Sequence, residues 1–380
     1  MTPLYLLWDN FGPLHLDRLE ACARHFAGTR RVIGLELCGH SDTYGWETGG
    51  TAAGFEWITA YPGTRLDALS ARQIFAAIRQ GLGRHGRGDV FLCHNNEPGV
   101  LMGALWARAR GHRVFAMGCS KFDDKPRRAR AEALKSAFFL PYHGALGSGV
   151  RGRDYYRFLG LSAARITGEY NTVSLDRIRA QAGYGPFEAA RIDEGPRFAE
   201  RDFLCVARLV PKKNLDMLLR AFALYRVADP APRRLHLLGD GPEEARLRAL
   251  AAELGLGDAV CFHGFVQSAQ VSAQLARGLA LLLPSLEDQF GNVVPEALAL
   301  GLPLILSDNP GARDRLLRSG RNGFLVEPDN PEGMAWFLQR LGTDAALWRE
   351  MRSCAFELAP QADTARFAEG IARLINMAGR

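Results

Sequence analysis

Two carboxylates eight residues apart, Asp288 and Glu296, bracket a Phe-Gly turn in PSLEDQFGNVVPEALALGLPLILSD, residues 284–308. Acids near a helix start commonly cap it or suit its dipole. This spacing allows more: Asp288 falls in the turn and Glu296 inside the helix that follows. Between them Phe290, Gly291 and Asn292 can present backbone amides to an anion. Pro295 is tolerated in the first turn because its missing N–H would have had no partner there. Carboxylates accept hydrogen bonds from hydroxyls and repel phosphate, so the two acids suit the neutral, hydroxyl-rich ends of a ligand whose middle is anionic. Upstream, Arg208 and Lys213 stand in one loop with Pro211 between them. Two cations so placed can meet a diphosphate from two directions, although alone they read as a solvated loop. HGFVQ (263–267) leaves Phe265 and Val266 beyond an apolar run, a floor for a flat base. GDGP (239–242) is a tight turn into a helix. Taken jointly, one acid for a sugar, one for a ribose and cations for the phosphates compose a nucleotide-sugar site.

These residues follow short apolar runs. FLCVA, LHLL, AVCF, LALLL, LPLIL and GFLV alternate with amphipathic helical stretches in the second half. LYLLWDN, RRVIGLEL, DVFLCHN, HRVFAMG and HGALGSG do so more loosely in the first. Such alternation predicts βαβ units with a buried parallel sheet. The fold class is therefore α/β, with two doubly wound, Rossmann-like domains whose strand ends face each other across a cleft. The boundaries expected are 1–175 for the first domain, 176–201 for a linker rich in Gly, Pro and charge, 202–360 for the second domain, and 361–380 for a closing helix. Two glycine patterns carry less. GLGRHG (81–86) follows a helix and precedes a strand, the wrong order for a dinucleotide turn. GSGVRG (147–152) has the right order but closes its domain, so it reads as a helix start that could lie near a phosphate.

The chain has 380 residues, 47% of them hydrophobic and 23% charged, which suits two globular cores. No apolar run is long enough to span a bilayer, and the N-terminus reads as a first strand rather than a signal peptide. Seven scattered cysteines without a C-x-x-C pair fit buried thiols of a cytoplasmic protein and exclude a disulfide framework or zinc site. Residues 1–170 hold 22 Lys or Arg against 15 Asp or Glu, and 108–135 alone hold nine against three. That basic face could meet an anionic membrane surface or a phosphorylated substrate, or simply be solvated. Nucleic acid is the weakest partner, since no recognition motif accompanies the charge.

VARLVPKKN, LLGDGP, FHGFV and PSLEDQFGNVVPEALALGLPLI together resemble the C-terminal domain of retaining GT-B glycosyltransferases of family 4. NTVSLDRI (171–178) resembles the end of their N-terminal domain. The resemblance implies a retaining hexosyl transfer from a nucleoside diphosphate sugar, UDP favoured, to an acceptor hydroxyl in polysaccharide or glycolipid assembly. It implies that Arg208 and Lys213 stabilise the leaving diphosphate, Glu296 holds the ribose, and Phe265 and Val266 flank the base. The amides of Phe290, Gly291 and Asn292 would face the sugar and β-phosphate. Asp288 departs from the family pattern, which has Glu there; Glu287 is one position early and is the alternative sugar contact. In the first domain, Gly12 sits where relatives place a loop beside the diphosphate, and His94 where they carry a catalytic-pocket histidine. A second histidine usual after the next strand is missing, which leaves His94, Asn95, Ser120, Lys121 and Asp123 as acceptor-side candidates. No D-x-D triplet occurs, so no metal and no cofactor is expected beyond the donor itself. The acceptor would be a sugar, lipid-linked if the basic face docks at the cytoplasmic side of the membrane. Rival readings are a GT-B nucleotide-sugar epimerase and a catalytically inactive nucleotide-sugar-binding subunit.

Overall fold

The computed structural model describes residues 1–39 and 54–378. The chain divides into two units, residues 1–172 with 364–380, and residues 173–363.

The first unit runs β1 (Thr2–Trp8), α1 (Pro13–His25), β2 (Arg30–Cys38), β3 (Glu56–Tyr61), α2 (Ala71–Gly83), β4 (Asp89–Leu92), α3 (Pro98–Ala109), β5 (Arg113–Met117), α4 (Ala129–Phe138), β6 (Gly144–Leu146), α5 (Gly149–Phe158) and β7 (Ile166–Thr167). The strands form one parallel sheet in the order β3-β2-β1-β4-β5-β6-β7. The five strands read from the sequence are all present. The two it did not show are a half-buried edge strand, EWITAY, and a two-residue strand, neither of which has an apolar run to betray it. One face of the sheet carries α2, α3 and the tyrosines of α5 through Ile74, Ile78, Val100, Ala104, Tyr155 and Tyr156. The other carries α1 and the last helix of the chain.

The second unit runs α6 (Leu175–Gln181), β8 (Asp202–Val206), α7 (Leu215–Ala228), β9 (Leu235–Leu238), α8 (Glu244–Glu253), β10 (Val260–Phe262), α9 (Ser268–Arg277), β11 (Gly278–Leu283), α10 (Val293–Ala299), β12 (Leu304–Ser307), α11 (Arg313–Leu316), β13 (Gly323–Val326), α12 (Pro331–Thr343) and α13 (Ala345–Leu358). Its six parallel strands are ordered β10-β9-β8-β11-β12-β13. The final helix, α14 (Thr364–Ala378), belongs to the first unit, where Phe367, Ile371 and Ile375 join the core with Leu19 and Cys22 of α1.

Residues 176–201, for which the sequence suggests a linker, are held in the second unit by three buried arginines. Arg179 forks onto Glu194 with two 2.9 Å bonds. Arg201 donates to the carbonyls of Ala276, Gly278 and Glu194, and Arg352 to those of Ile192, Leu300 and Glu194. Burial pulls the Arg201 and Arg352 guanidinium pKa values down to about 10, and the carbonyls replace the water each cation has lost. A stretch with no hydrophobic period is thus fixed by polar bonds that pattern reading does not see.

Both sheets reverse their strand order once, between β1 and β4 in the first unit and between β8 and β11 in the second. In open α/β sheets the crevice beyond the strand ends at such a switch is where ligands bind.

Candidate functional site

At the second unit's switch, the loop leaving β8 is built against the turn leaving β9. Ala207 N–H donates to Leu238 O at 3.0 Å and Leu209 N–H to Asp240 O at 2.7 Å. Gly239 and Gly241 have φ of +134° and +153°, and a Cβ on them would stand 2.1 Å from Ala207 O and 2.4 Å from Leu209 O. Only glycine permits so close an approach. GDGP, which reads as a plain turn, is therefore the wall that sets the Arg208 loop. Gly239 N–H also donates to Gly264 O at 2.8 Å, which brings the loop carrying Phe265 and Val266 alongside; Phe265 is 41% exposed.

Arg208 is exposed, and its side chain makes no hydrogen bond or ion pair among the described residues. Pro211–Lys213 forms a single 3-10 turn that ends on Asn214, held left-handed at φ +57°. The Asn214 amide donates to Pro284 O at 3.1 Å and Pro328 O at 2.7 Å. One side chain thereby fastens the loops that follow β8, β11 and β13. Leu286 N–H adds a 2.8 Å bond to Lys212 O. The result is an ion pair: Lys213 Nζ lies 2.5 Å from Asp288 Oδ2, both side chains mostly shielded from water. Asp288 does not cap the helix beyond it; it meets the cation that the sequence places in another loop. Gly291 at φ +88° turns the chain into α10, whose first turn contains the half-buried Glu296. Phe290 is buried and its carbonyl accepts from Ala312 N–H at 2.9 Å, so the loop after β12 backs the turn. Arg208, Lys213, Asp288, Phe290, Gly291, Asn292 and Glu296 thus share one end of one sheet, with Phe265 and Val266 on the neighbouring loop. Glu287 stands beside Asp288, its N–H 3.3 Å from Lys212 O.

The first unit's switch gathers a second group. Leu7 pairs with Leu92 in register, so the residues two beyond each, Asp9 and His94, must meet. His94 Nε2 lies 3.0 Å from Asp9 Oδ1, and the His94 backbone is left-handed at φ +56°. Burial acts to lower the His94 pKa, but the neighbouring Cys93 and Asp9 outweigh it and raise the imidazole well above its ordinary value. Asp9 is correspondingly held below its ordinary value against its own burial. Behind them, Trp8 Nε1 donates to Tyr170 Oη at 2.8 Å, and the Arg18 guanidinium lies 5.0 Å from the centre of the Tyr170 ring.

Gly12 caps α1 with an ordinary extended backbone, and its N–H is taken by His15 Nδ1 at 3.1 Å. Burial, then Arg18, drives His15 down to about 3, which keeps that nitrogen an acceptor. Asn95 is buried and donates to Met117 O at 3.1 Å. Lys121 is 1% exposed, with Nζ 2.9 Å from Asp123 Oδ1; Asp123 also meets Arg151 at 2.9 Å. Ser120 lies by the start of α5, its carbonyl 3.6 Å from where a Cβ on Gly152 would be. Of the acceptor-side candidates, Asp123 is the exposed one and Lys121 stands beneath it. Sequence reading missed Asp9 and Asn214. Asp9 was signalled by its place directly after a strand beside the His94 strand; nothing in a lone Asn announces three tethered loops.

Comparison with known proteins bears on the family and the fold. The family described as glycosyl transferases group 1 matches residues 187–357. An exopolysaccharide phosphotransferase of Streptomyces coelicolor is 37% identical over 151 residues, 40% of this chain and 16% of that protein. EpsD of Bacillus subtilis, which carries the name of a glycosyltransferase, is 32% identical over 295 residues, 75% of each chain. Among solved structures, HepE of Anabaena in complex with UDP and glucose superposes with a TM-score of 0.73 at 16% identity over 99% of each chain.

Proposed function

Because the chain belongs to the glycosyl transferases of group 1 and has their GT-B fold, we propose that it moves a hexosyl group from a nucleoside diphosphate sugar to an acceptor hydroxyl, with retention of anomeric configuration. The observation that carries this reading is the meeting of Lys213 and Asp288 at the switch of the second sheet, with Arg208 in the same loop as Lys213. A cation and a carboxylate from different loops, side by side, suit a ligand that presents phosphate and hydroxyl within a few ångströms. In this proposal Arg208 and Lys213 take the charge that develops on the departing diphosphate, the largest demand of the reaction. Phosphate then competes with Asp288 for Lys213, and the released carboxylate accepts from a sugar hydroxyl. Glu296 holds the ribose, Phe265 and Val266 flank the base, and the Phe290, Gly291 and Asn292 amides face the sugar and β-phosphate. In the first unit, His94, whose imidazole Cys93 and Asp9 hold above its ordinary pKa, is the candidate for the acceptor side.

UDP is the proposed nucleotide, supported by the UDP bound in HepE, and polysaccharide or glycolipid assembly the proposed setting, supported by the exopolysaccharide protein among the relatives. Two cations at the diphosphate make a metal ion unnecessary, so the proposal includes metal independence. The test is release of nucleoside diphosphate from UDP-, GDP- and ADP-sugars with added acceptor sugars, with and without EDTA. Acceptor-dependent release that survives EDTA supports transfer. Release of free nucleotide or epimerised sugar without an acceptor would assign an epimerase instead.

A further inference from the structure

Helix α4 turns Phe138 toward the core but buries charge beside it. Its buried side holds charge: Glu132 accepts from Tyr155 Oη at 2.7 Å and from Arg127 at 2.9 Å, while Lys135 donates to the same Tyr155 oxygen at 2.7 Å. Its outer side presents Ala133, Leu134 and Ala137, with Leu140 just beyond; Leu134 is 69% and Leu140 78% exposed. A surface helix ordinarily turns its apolar stripe the other way. The neighbours extend the patch. Phe122 and Phe158 touch each other, ring centres 5.2 Å apart, yet each is more than half exposed. On α3, Leu105 is also exposed, and Arg108 bonds Pro141 O at 2.8 Å, tying that helix to the Leu140 turn. Aromatic and aliphatic side chains left together in water mark a contact surface.

The charge around the patch identifies what it contacts. Residues 121–158 hold nine Lys or Arg and four Asp or Glu. Three of those acids are consumed: Asp124 and Glu132 by Arg127, and Asp123 by Lys121 and Arg151. The fourth, Asp154, pairs with Arg157 at 3.2 Å. Lys125, Arg128, Arg130 and Arg153 remain exposed around the apolar residues. A cationic rim would repel a second copy of itself and attract an anionic lipid headgroup layer, into which the leucines and phenylalanines can insert. Among the described residues no helix is long and apolar enough to cross a membrane, so the contact would be peripheral.

We propose that the outer face of α3, α4 and α5 docks on an anionic lipid bilayer. The proposal stands on this surface alone, whatever sugar is transferred, and its test contains no sugar. The full chain is sedimented with vesicles of phosphatidylcholine, and of phosphatidylcholine with one third phosphatidylglycerol, at low salt. Three variants are compared: Leu134→Glu with Leu140→Glu, Arg128→Glu with Arg130→Glu, and Val227→Glu, a 90% exposed apolar residue of the other unit. All sites are exposed, and unchanged melting temperatures confirm folding. Expected is binding to the anionic vesicles only, weakened at least about tenfold by either double variant and unaltered by Val227→Glu. Wild type left in the supernatant, or double variants that bind as well as wild type, overturns the proposal. So does a concentration-dependent dimer that Leu134→Glu with Leu140→Glu abolishes while vesicles are ignored, since the occupant is then a second copy.

Discussion

Replacing Asn214 should damage the donor side of the site without removing any proposed ligand contact. Both partners of its side chain are carbonyl oxygens, Pro284 O and Pro328 O, so the amide nitrogen donates to each. Asn214→Ala loses two hydrogen bonds, about 2 kcal/mol together, and places an alanine in the left-handed region at a cost of about 1–2 kcal/mol. The loss of about 3–4 kcal/mol should lower the melting temperature of the second unit by roughly 6–16 °C, given the usual sensitivity of domains of this size. Asn214→Gly loses the same bonds but is at ease at φ +57°, so it should retain about 1 kcal/mol of the difference. With the tether cut, Lys213 is no longer fixed opposite Asp288, and kcat should fall in both variants even at temperatures where they are folded. Calorimetry on the full chain, followed by kinetics well below the transition, makes the measurement. An Asn214→Ala protein that melts within a degree of wild type, or a glycine variant less stable than the alanine one, would refute the reasoning.

Two further outcomes are expected. Asp9→Asn should bring the His94 imidazole pKa down, read by NMR titration. His94 is raised above 6.5 in the folded chain, so its contribution to stability is complete below 6.5 and is lost as pH climbs through the folded value. That alkaline decline should be shallower in the variant, and an unmoved titration would exclude the carboxylate as its cause. Gly239→Ala should cost more than about 2 kcal/mol in a denaturant titration, because its Cβ would collide with the Ala207 carbonyl from a backbone conformation alanine avoids. A neutral result would mean that the β8 loop yields easily.

The sequence shows the second unit's strands well because each is a short, largely apolar run between helical stretches, β11 and β12 being buried throughout. The same cue fails at β3, which lies half-buried at an edge, and at residues 176–201, which buried arginines hold in place together with isolated apolar anchors such as Ile178 and Phe198. Motif spacing gathers Arg208, Lys213 and Asp288 on post-strand loops, with Glu296 in the helix that follows Asp288. It does not show that Lys213 and Asp288 touch, since their contact depends on a strand order that pairs β8 with β11. In the first unit, His94 is visible as a candidate, whereas its partner Asp9 appears only when β1 and β4 are known to be neighbours. Lys121 looks like a surface cation by composition, yet the chain buries it beneath Asp123. Hydrophobic period cannot foresee a lysine sunk under its own counter-ion.

The central claim is that the second unit holds a nucleoside diphosphate sugar between Arg208, Lys213, Asp288 and Glu296. The most direct measurement is isothermal calorimetry of UDP-, GDP- and ADP-sugars on wild type and Glu296→Ala, with metal absent throughout. One nucleotide series should bind in the absence of metal, and Glu296→Ala, which loses a charged acceptor to the ribose hydroxyls, should weaken it by about 1.5–3 kcal/mol, roughly ten- to a hundredfold. Binding of that series at full strength by Glu296→Ala, or silence from every nucleotide sugar on wild type, would contradict the account.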